Sequence, residues 1–362
     1  MTKPVKSAKA NIENSVSLEE AAMLIAYNPK RRFLLRGEPG IGKSSILSTI
    51  SAKRPELVPA YVDCTSIELG DIGIPFVNKD ARYSANAPNE IFQLHKGKPV
   101  LIMLDEFTKA PQAVQNMLHP LLEATKPRLG GVFLPEGSIV FLTGNLVDDG
   151  VGDKLKEHTI NRISVVEVKK PTAEAWVEWA IGNKVSPVVT AWVSDNPHVM
   201  QTYRNGDAAE TNGMIFNPRK NQGSFASPRS LAAVGEIIDN RDKYSHEALI
   251  AAMTGTVGAT CANNMMAYIS YHDSLPKISE IIANPSKAPV PTGGAILIAL
   301  HSLSQQLTPQ NNTKLFEYVE RFSAEYVAMW IRACFSAGTN GALVTIPTFS
   351  KWLSANHMVL PN

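Results

Sequence analysis

The stretch Gly37-Glu38-Pro39-Gly40-Ile41-Gly42-Lys43-Ser44 fills every fixed position of the pattern G-x-x-x-x-G-K-[ST]. Arg32-Phe33-Leu34-Leu35-Arg36 before it reads as a short buried strand. Ser44-Ser45-Ile46-Leu47-Ser48-Thr49-Ile50 after it reads as the first turns of a helix. Strand, glycine-rich turn and helix in that order leave few folds open. The glycines let the backbone wrap tightly, so that successive N–H groups point inward as an anion nest. The helix N-terminus adds its partial positive charge. Lys43 would reach the β- and γ-phosphates of a nucleotide, and the Ser44 hydroxyl would bind Mg²⁺. The candidate binding segment is therefore Gly37, Glu38, Pro39, Gly40, Ile41, Gly42, Lys43, Ser44 and Ser45.

With 362 residues the chain can hold two or three domains. Its 44% apolar and 19% charged content suits an ordinary globular protein. A net charge of +2 does not call for nucleic acid or an anionic membrane as partner. Lys3, Lys6 and Lys9 fall in a polar N-terminal tail, and Lys30-Arg31-Arg32 forms a second small basic cluster. The first reads as a solvated tail and the second as a strand edge. Cys64, Cys261 and Cys334 are far apart and form no C-x-x-C pair, so neither a zinc site nor a disulfide framework is expected. A reducing cytoplasm is the expected setting. The N-terminus lacks an apolar signal segment. The run Ala295-Ile296-Leu297-Ile298-Ala299-Leu300 is too short to span a bilayer, so no membrane partner is expected.

Ser17 with Glu20 three residues on marks the start of a capped helix to Tyr27. Ala60–Cys64, Pro99–Leu104, Ser138–Thr143 and Ser164–Val168 read as strands. The run Val100-Leu101-Ile102-Met103-Leu104 is continuously apolar, as in a parallel sheet buried on both faces. Residues 66–90 read as a long loop or insertion, Pro111 to Thr125 as a helix, and Arg128 to Pro135 as a hairpin. This alternation predicts an α/β domain with a parallel sheet over residues 17–170. After Lys169-Lys170-Pro171 the pattern becomes helical. Thr172 caps a helix carrying Trp176 and Trp179, a polar loop occupies 203–227, and a long helical stretch runs from Lys314 to Ala333.

The rest of the candidate site follows from strand ends. Asp105-Glu106 closes the apolar strand, which places carboxylates beside the phosphate loop in a doubly wound sheet. Asp105 would hold Mg²⁺ through water, with Ser44, and Glu106 would polarise an attacking water. The next buried strand ends in Thr143-Gly144-Asn145, whose amide can orient that water. Asn161-Arg162 precedes the last strand and offers a cation to a neighbouring subunit. Ser227-Pro228-Arg229-Ser230-Leu231 opens a helix in the second region, where Arg229 could close over phosphates.

These elements, in this order, resemble an AAA+ ATPase, and more closely the MoxR-type, dynein-related branch. The resembling segments are GEPGIGKS, VLIMLDEFTKAPQAVQNMLHPLLE, FLTGN, INRI and SPRSL. The loop Leu69-Gly70-Asp71-Ile72-Gly73-Ile74-Pro75 and the hairpin LGGVFLP are similar to that branch too. The resemblance covers about residues 17–240 and is most specific in the first 170. It implies an αβα nucleotide-binding domain with a parallel sheet at 17–170 and a helical lid at 171–240; outside it, residues 1–16 read as a flexible tail and residues 241–362, more than a minimal lid, as a helical C-terminal extension of the lid or a partner-binding region. It implies Lys43 and Ser44 as the nucleotide-binding pair and Asp105 as the Mg²⁺ ligand. It further implies Glu106 as base, Asn145 as first sensor, Arg162 as trans-acting finger and Arg229 as second sensor. ATP and Mg²⁺ are the implied cofactors. A homo-oligomeric ring, expected as a hexamer, would remodel a protein client or adaptor, with metal-dependent adhesion-type domains as the family's expected partners. Many members read Asp-Arg-Phe where this chain has Asn161-Arg162-Ile163.

Two other functions compete with a remodelling motor. A nucleic-acid motor would show a basic stripe with interleaved aromatics, which is missing. A scaffold that uses nucleotide only to set its oligomer would have no need of Glu106. A guanine-specific reading fails because Asn78-Lys79-Asp80-Ala81 misses N-K-x-D.

Overall fold

The computed structural model describes residues 15–80, 82–146, 155, 157–204, 211–220, 222–273, 276–293 and 295–356. The tail expected at 1–16 falls mostly outside them. The chain divides into two units, Met1–Lys170 and Pro171–Asn362.

The first unit runs β1 (Ser15–Val16), α1 (Leu18–Tyr27), β2 (Phe33–Arg36), α2 (Ile46–Lys53), β3 (Val58–Asp63), α3 (Leu69–Ile72), β4 (Gly73–Asn78), β5 (Tyr83–Pro88), β6 (Val100–Asp105), α4 (Gln112–Leu118), β7 (Arg128–Leu129), β8 (Val132–Phe133), β9 (Ile139–Gly144), α5 (Glu157–Ile160) and β10 (Ser164–Val168). The main sheet has the order β1-β10-β2-β9-β6-β3, with every neighbouring pair parallel. All six residues of β6 and all six of β9 are buried. That is why these strands read as unbroken apolar runs rather than as an alternating pattern.

Alternation within the strands assigns side chains to two cores. Leu34, Val62, Ile102, Leu104, Val140 and Leu142 pack with Val114 and Leu118 of α4 on one face. Phe33, Leu35, Leu101, Met103, Ile139 and Phe141 pack with α1 and α2 on the other. Each such large apolar side chain contributes roughly 1.5–3 kcal/mol by leaving water. The start of α1 is fixed by reciprocal bonds: Ser17 N–H donates to Glu20 Oε2 at 2.8 Å, and Glu20 N–H donates to Ser17 Oγ at 3.2 Å.

Three expectations are corrected, and the strand-edge reading of Arg32 is sharpened. Residues 66–90 are not a plain loop. They form α3 and the antiparallel hairpin β4–β5, whose strands are exposed and too mixed in composition to show a period. The helix expected at Pro111–Thr125 stops at Leu118 and tightens into a 3₁₀ turn, His119–Leu122, because Pro120 supplies no N–H to continue it. Arg32 stands at the edge of β2, as read, but is not open to solvent. It is 2% exposed, and its guanidinium donates to the carbonyls of Pro29, Leu121 and Glu123, tying the start of β2 to the end of that turn. The helix expected at Lys314–Ala333 is two helices, Asn312–Val319 and Ala324–Ser336. Ser323 between them is extended, as a residue starting a new helix must be.

The second unit is helical among its described residues. One core gathers Trp176, Trp192, Val234, Met253 and Met265, and so draws on residues from both sides of position 240. Another gathers Leu303, Phe316, Tyr318, Trp330 and Phe349. The buried indoles of the first core have partners: Trp176 Nε1 donates to Pro228 O at 3.2 Å, and Trp192 Nε1 to Asn264 Oδ1 at 2.7 Å. No helix among the described residues is long and apolar enough to cross a membrane.

Candidate nucleotide site

The chain leaves β2 at Arg36, runs through the glycine-rich turn and enters a 3₁₀ turn, Lys43–Ser45, that leads into α2. The backbone reverses at Gly42, whose φ of 105° lies in the left-handed region that a side chain would strain. Lys43 is drawn inward and is 6% exposed. Its Nζ donates to Gly37 O at 2.8 Å, Glu38 O at 3.0 Å and Asn145 Oδ1 at 3.2 Å. Ser45 folds its hydroxyl back to Gly42 O at 2.7 Å. Ile41 is buried in the core beneath the loop.

Strand order explains how Asn145 reaches Lys43. β9 lies between β2 and β6, with Arg36 opposite Gly144 and Leu142 opposite Leu104. The residues that follow β2, β9 and β6 therefore emerge side by side at the carboxyl edge of the sheet, where open α/β sheets bind ligands. Asp105 ends β6 and is 8% exposed. Its carboxylate accepts hydroxyls from three elements. Thr143 donates to Oδ1, while Ser44 at 3.2 Å and Tyr61 at 2.8 Å donate to Oδ2.

Glu106 turns away from the strand with φ of 51°, a left-handed conformation for a residue with a side chain. Its N–H donates to Thr143 Oγ1 at 3.1 Å, so one threonine hydroxyl serves both acidic residues. The Glu106 carboxylate meets the Lys109 ammonium at 2.7 Å and the Asn145 amide at 3.4 Å. Asn145 thus spans from the phosphate-loop lysine to the candidate base. Glu38 is buried at 5% exposure. Burial lowers the Lys170 pKa to about 8, and the Glu38 carboxylate acts in the opposite direction.

Lys43, Ser44, Asp105, Glu106 and Asn145 are therefore brought together. Arg162 is not with them. It is exposed, in the turn before β10, and its NH1 lies 2.8 Å from His119 Nδ1. Arg229 is exposed in the first turn of the helix Pro228–Asp239, in the second unit. Tyr61, Lys109 and His119 were not singled out from the sequence. Lys109 could have been, since it stands three residues from Glu106. Tyr61 and His119 carry no local signal, because their partners are distant in the chain.

The donor set suits a nucleotide with Mg²⁺. The Lys43 amine sits in a ring of oxygen acceptors within the loop. Ser44 and Asp105 set a hydroxyl and a carboxylate side by side, the hard oxygen ligands that Mg²⁺ takes together with phosphates.

A search of curated proteins finds no match to the chain. Among solved structures, the chain resembles NtrX from Brucella abortus in complex with ADP, with 16% identity and a TM-score of 0.39 over 90% of this chain and 67% of that one. It also resembles Hsp104 with ATPγS and FITC-casein in a closed state, with 16% identity and a TM-score of 0.35 over 70% of this chain and 46% of that one. Both likenesses are distant. Residues 32–162 match the family described as the AAA domain of the dynein-related subfamily, a span that takes in the phosphate loop, Asp105, Glu106, Asn145 and Arg162. The chain carries an AAA domain of the dynein-related subfamily.

Proposed function

We propose that the chain binds ATP with Mg²⁺, hydrolyses it, and works as a MoxR-type motor that remodels a protein partner. The observation that carries this reading is the bridge made by Asn145, which joins Lys43 at 3.2 Å to Glu106 at 3.4 Å. A group so placed senses the γ-phosphate through Lys43 and aligns a water for Glu106. A scaffold would need the first contact without the second.

In this reading the loop amides and Lys43 hold the β- and γ-phosphates. Ser44 and Asp105 would hold Mg²⁺. The ion, when bound, offsets negative charge on the phosphates. Glu106 leaves Lys109 and polarises the attacking water, taking its proton. Asn145 orients that water. Arg162, exposed and away from its own loop, supplies charge to the site of a neighbouring copy in a ring, with six copies as the expected number. The second unit acts as lid and extension, and Arg229 is its candidate second sensor. The client is a protein, and the setting is the cytoplasm.

The test is Glu106→Gln with Mg²⁺ and ATP, scored for binding and turnover. Retained binding with turnover lost at least a hundredfold supports the assignment. Undiminished turnover would remove Glu106 as the base. Light scattering with and without nucleotide tests the ring, and a monomer in every condition would exclude it.

A further inference from the structure

Tyr61 stands on β3, the edge strand of the main sheet and the neighbour of β6. Register pairs Tyr61 with Met103 and Asp63 with Asp105, so the phenol must reach forward along the strand to meet Asp105 Oδ2 at 2.8 Å. From the opposite side of β6, Thr143 of β9 donates to Oδ1. The carboxylate is thus gripped from both adjacent strands, one hydroxyl on each oxygen. Ser44 is the third donor and the only one of the three that belongs to the phosphate loop. The orientation of Asp105 is therefore set by the sheet before the loop takes part.

Burial does not force this contact. The Tyr61 side chain as a whole is half exposed, so its ring is not locked in a core that would dictate where the hydroxyl goes. The hydroxyl bonds to a carboxylate that is 8% exposed. Hydrogen bonds to an ionised oxygen are about twice as strong as neutral ones. Asp63, which lies opposite Asp105, is engaged elsewhere. It accepts from the Thr65 N–H at 2.9 Å and the Thr65 hydroxyl at 2.7 Å, and these bonds hold its pKa below the ordinary carboxylate value.

We propose that Tyr61 is a positioning residue for the divalent cation carried by the nucleotide. It holds Oδ2 of Asp105 turned toward Ser44, so that carboxylate and hydroxyl face the cation as a pair. This rests on the reading of the site as one for a nucleotide with Mg²⁺. Groups that orient metal ligands without touching the metal typically alter metal affinity 10–100-fold.

The experiment compares the full-length wild type with Tyr61→Phe, which keeps the ring and removes the hydroxyl. Binding of a fluorescent ADP analogue is measured in EDTA and across a Mg²⁺ titration, with thermal unfolding as a check. The expected result is equal affinity in EDTA, an unchanged unfolding temperature, and about tenfold more Mg²⁺ needed for half of the Mg²⁺-dependent gain in affinity. An unchanged Mg²⁺ requirement would overturn the role of Tyr61. So would an equal loss with and without Mg²⁺, which would make Tyr61 a packing residue of the loop. A wild type that binds the analogue with no Mg²⁺ dependence would sink the cation site itself, and that failure is visible without the variant.

Discussion

The guanidinium of Arg162 donates from NH1 to the imidazole of His119, 2.8 Å from Nδ1. Arginine carries no acceptor, so the contact is made by the guanidinium N–H toward a ring nitrogen. The turn that holds His119 is itself pinned, because buried Arg32 donates to Leu121 O and Glu123 O. Arg162 is thus held at the surface of its own chain. If it acts on a neighbour, chains with different defects should rescue each other. Arg162→Ala and Glu106→Gln are each expected to lose turnover at least a hundredfold. A mixture should recover a measurable fraction, since one chain supplies the arginine and the other an intact site. A mixture as inactive as its parts would show that Arg162 does not act in trans.

Asn145 offers Oδ1 to Lys43 and Nδ2 to Glu106. Asn145→Asp keeps the acceptor and removes the donor. Nucleotide affinity should stay within about threefold while kcat falls 10- to 100-fold, the range of a misplaced water-orienting group. Steady-state kinetics beside equilibrium binding separates the two effects. A loss confined to affinity would assign Asn145 to Lys43 alone.

Gly144 sits between Thr143 and Asn145, and a Cβ there would lie 2.7 Å from Thr108 Oγ1 and 3.0 Å from its Cγ2. Thr108 is 1% exposed and has no room to retreat. Gly144→Ala should cost about 1–3 kcal/mol by overpacking. Adding Thr108→Ala should return most of that. The Thr108 hydroxyl is buried without a hydrogen-bond partner, so Thr108→Val should be neutral or stabilising. Urea unfolding of the four proteins reads all of this. If Gly144→Ala were as stable as wild type, the close approach would be wrong.

His301 lies in the second unit at 6% exposure, and burial lowers its pKa to about 4. Thr190 donates its hydroxyl to Pro187 O and accepts from His301 Nδ1 at 3.0 Å, so the neutral ring carries its proton on Nδ1. The folded pKa lies below the ordinary value of 6.5. Between about pH 4 and 6.5 the unfolded chain therefore binds more protons, and stability falls as pH falls. The contribution of His301 is whole above pH 6.5. About 2 kcal/mol of it should be lost between pH 7 and pH 5. His301→Gln should flatten that part of the profile. An unchanged slope would assign the pH dependence to other groups.

Much of the first unit was legible because its signals are local. Ser17 and Glu20 announced α1 within four residues. The unbroken apolar runs at 100–104 and 139–142 announced strands buried on both faces. Pro120 should have shortened the helix expected at 111–125, and the end at Leu118 shows that breaker outweighing the apolar spacing. The hairpin β4–β5 was illegible because both of its strands lie exposed, so no core imposes a period on them. The burial of Arg32 was illegible because two of its three carbonyl acceptors, Leu121 and Glu123, lie far along the chain.

The phosphate loop was determined by the sequence alone. Eight contiguous residues encode its glycine geometry, its lysine and the Ser44 hydroxyl, and no distant partner is needed to specify them. The grip on Asp105 was decided only by tertiary structure. Tyr61, Asp105 and Thr143 lie on three strands, β3, β6 and β9, that are neighbours in the sheet although the three residues stand far apart in the chain. Hydrogen bonds across a sheet depend on which strands are neighbours and in what register, and the packing of the two cores against the helices sets both.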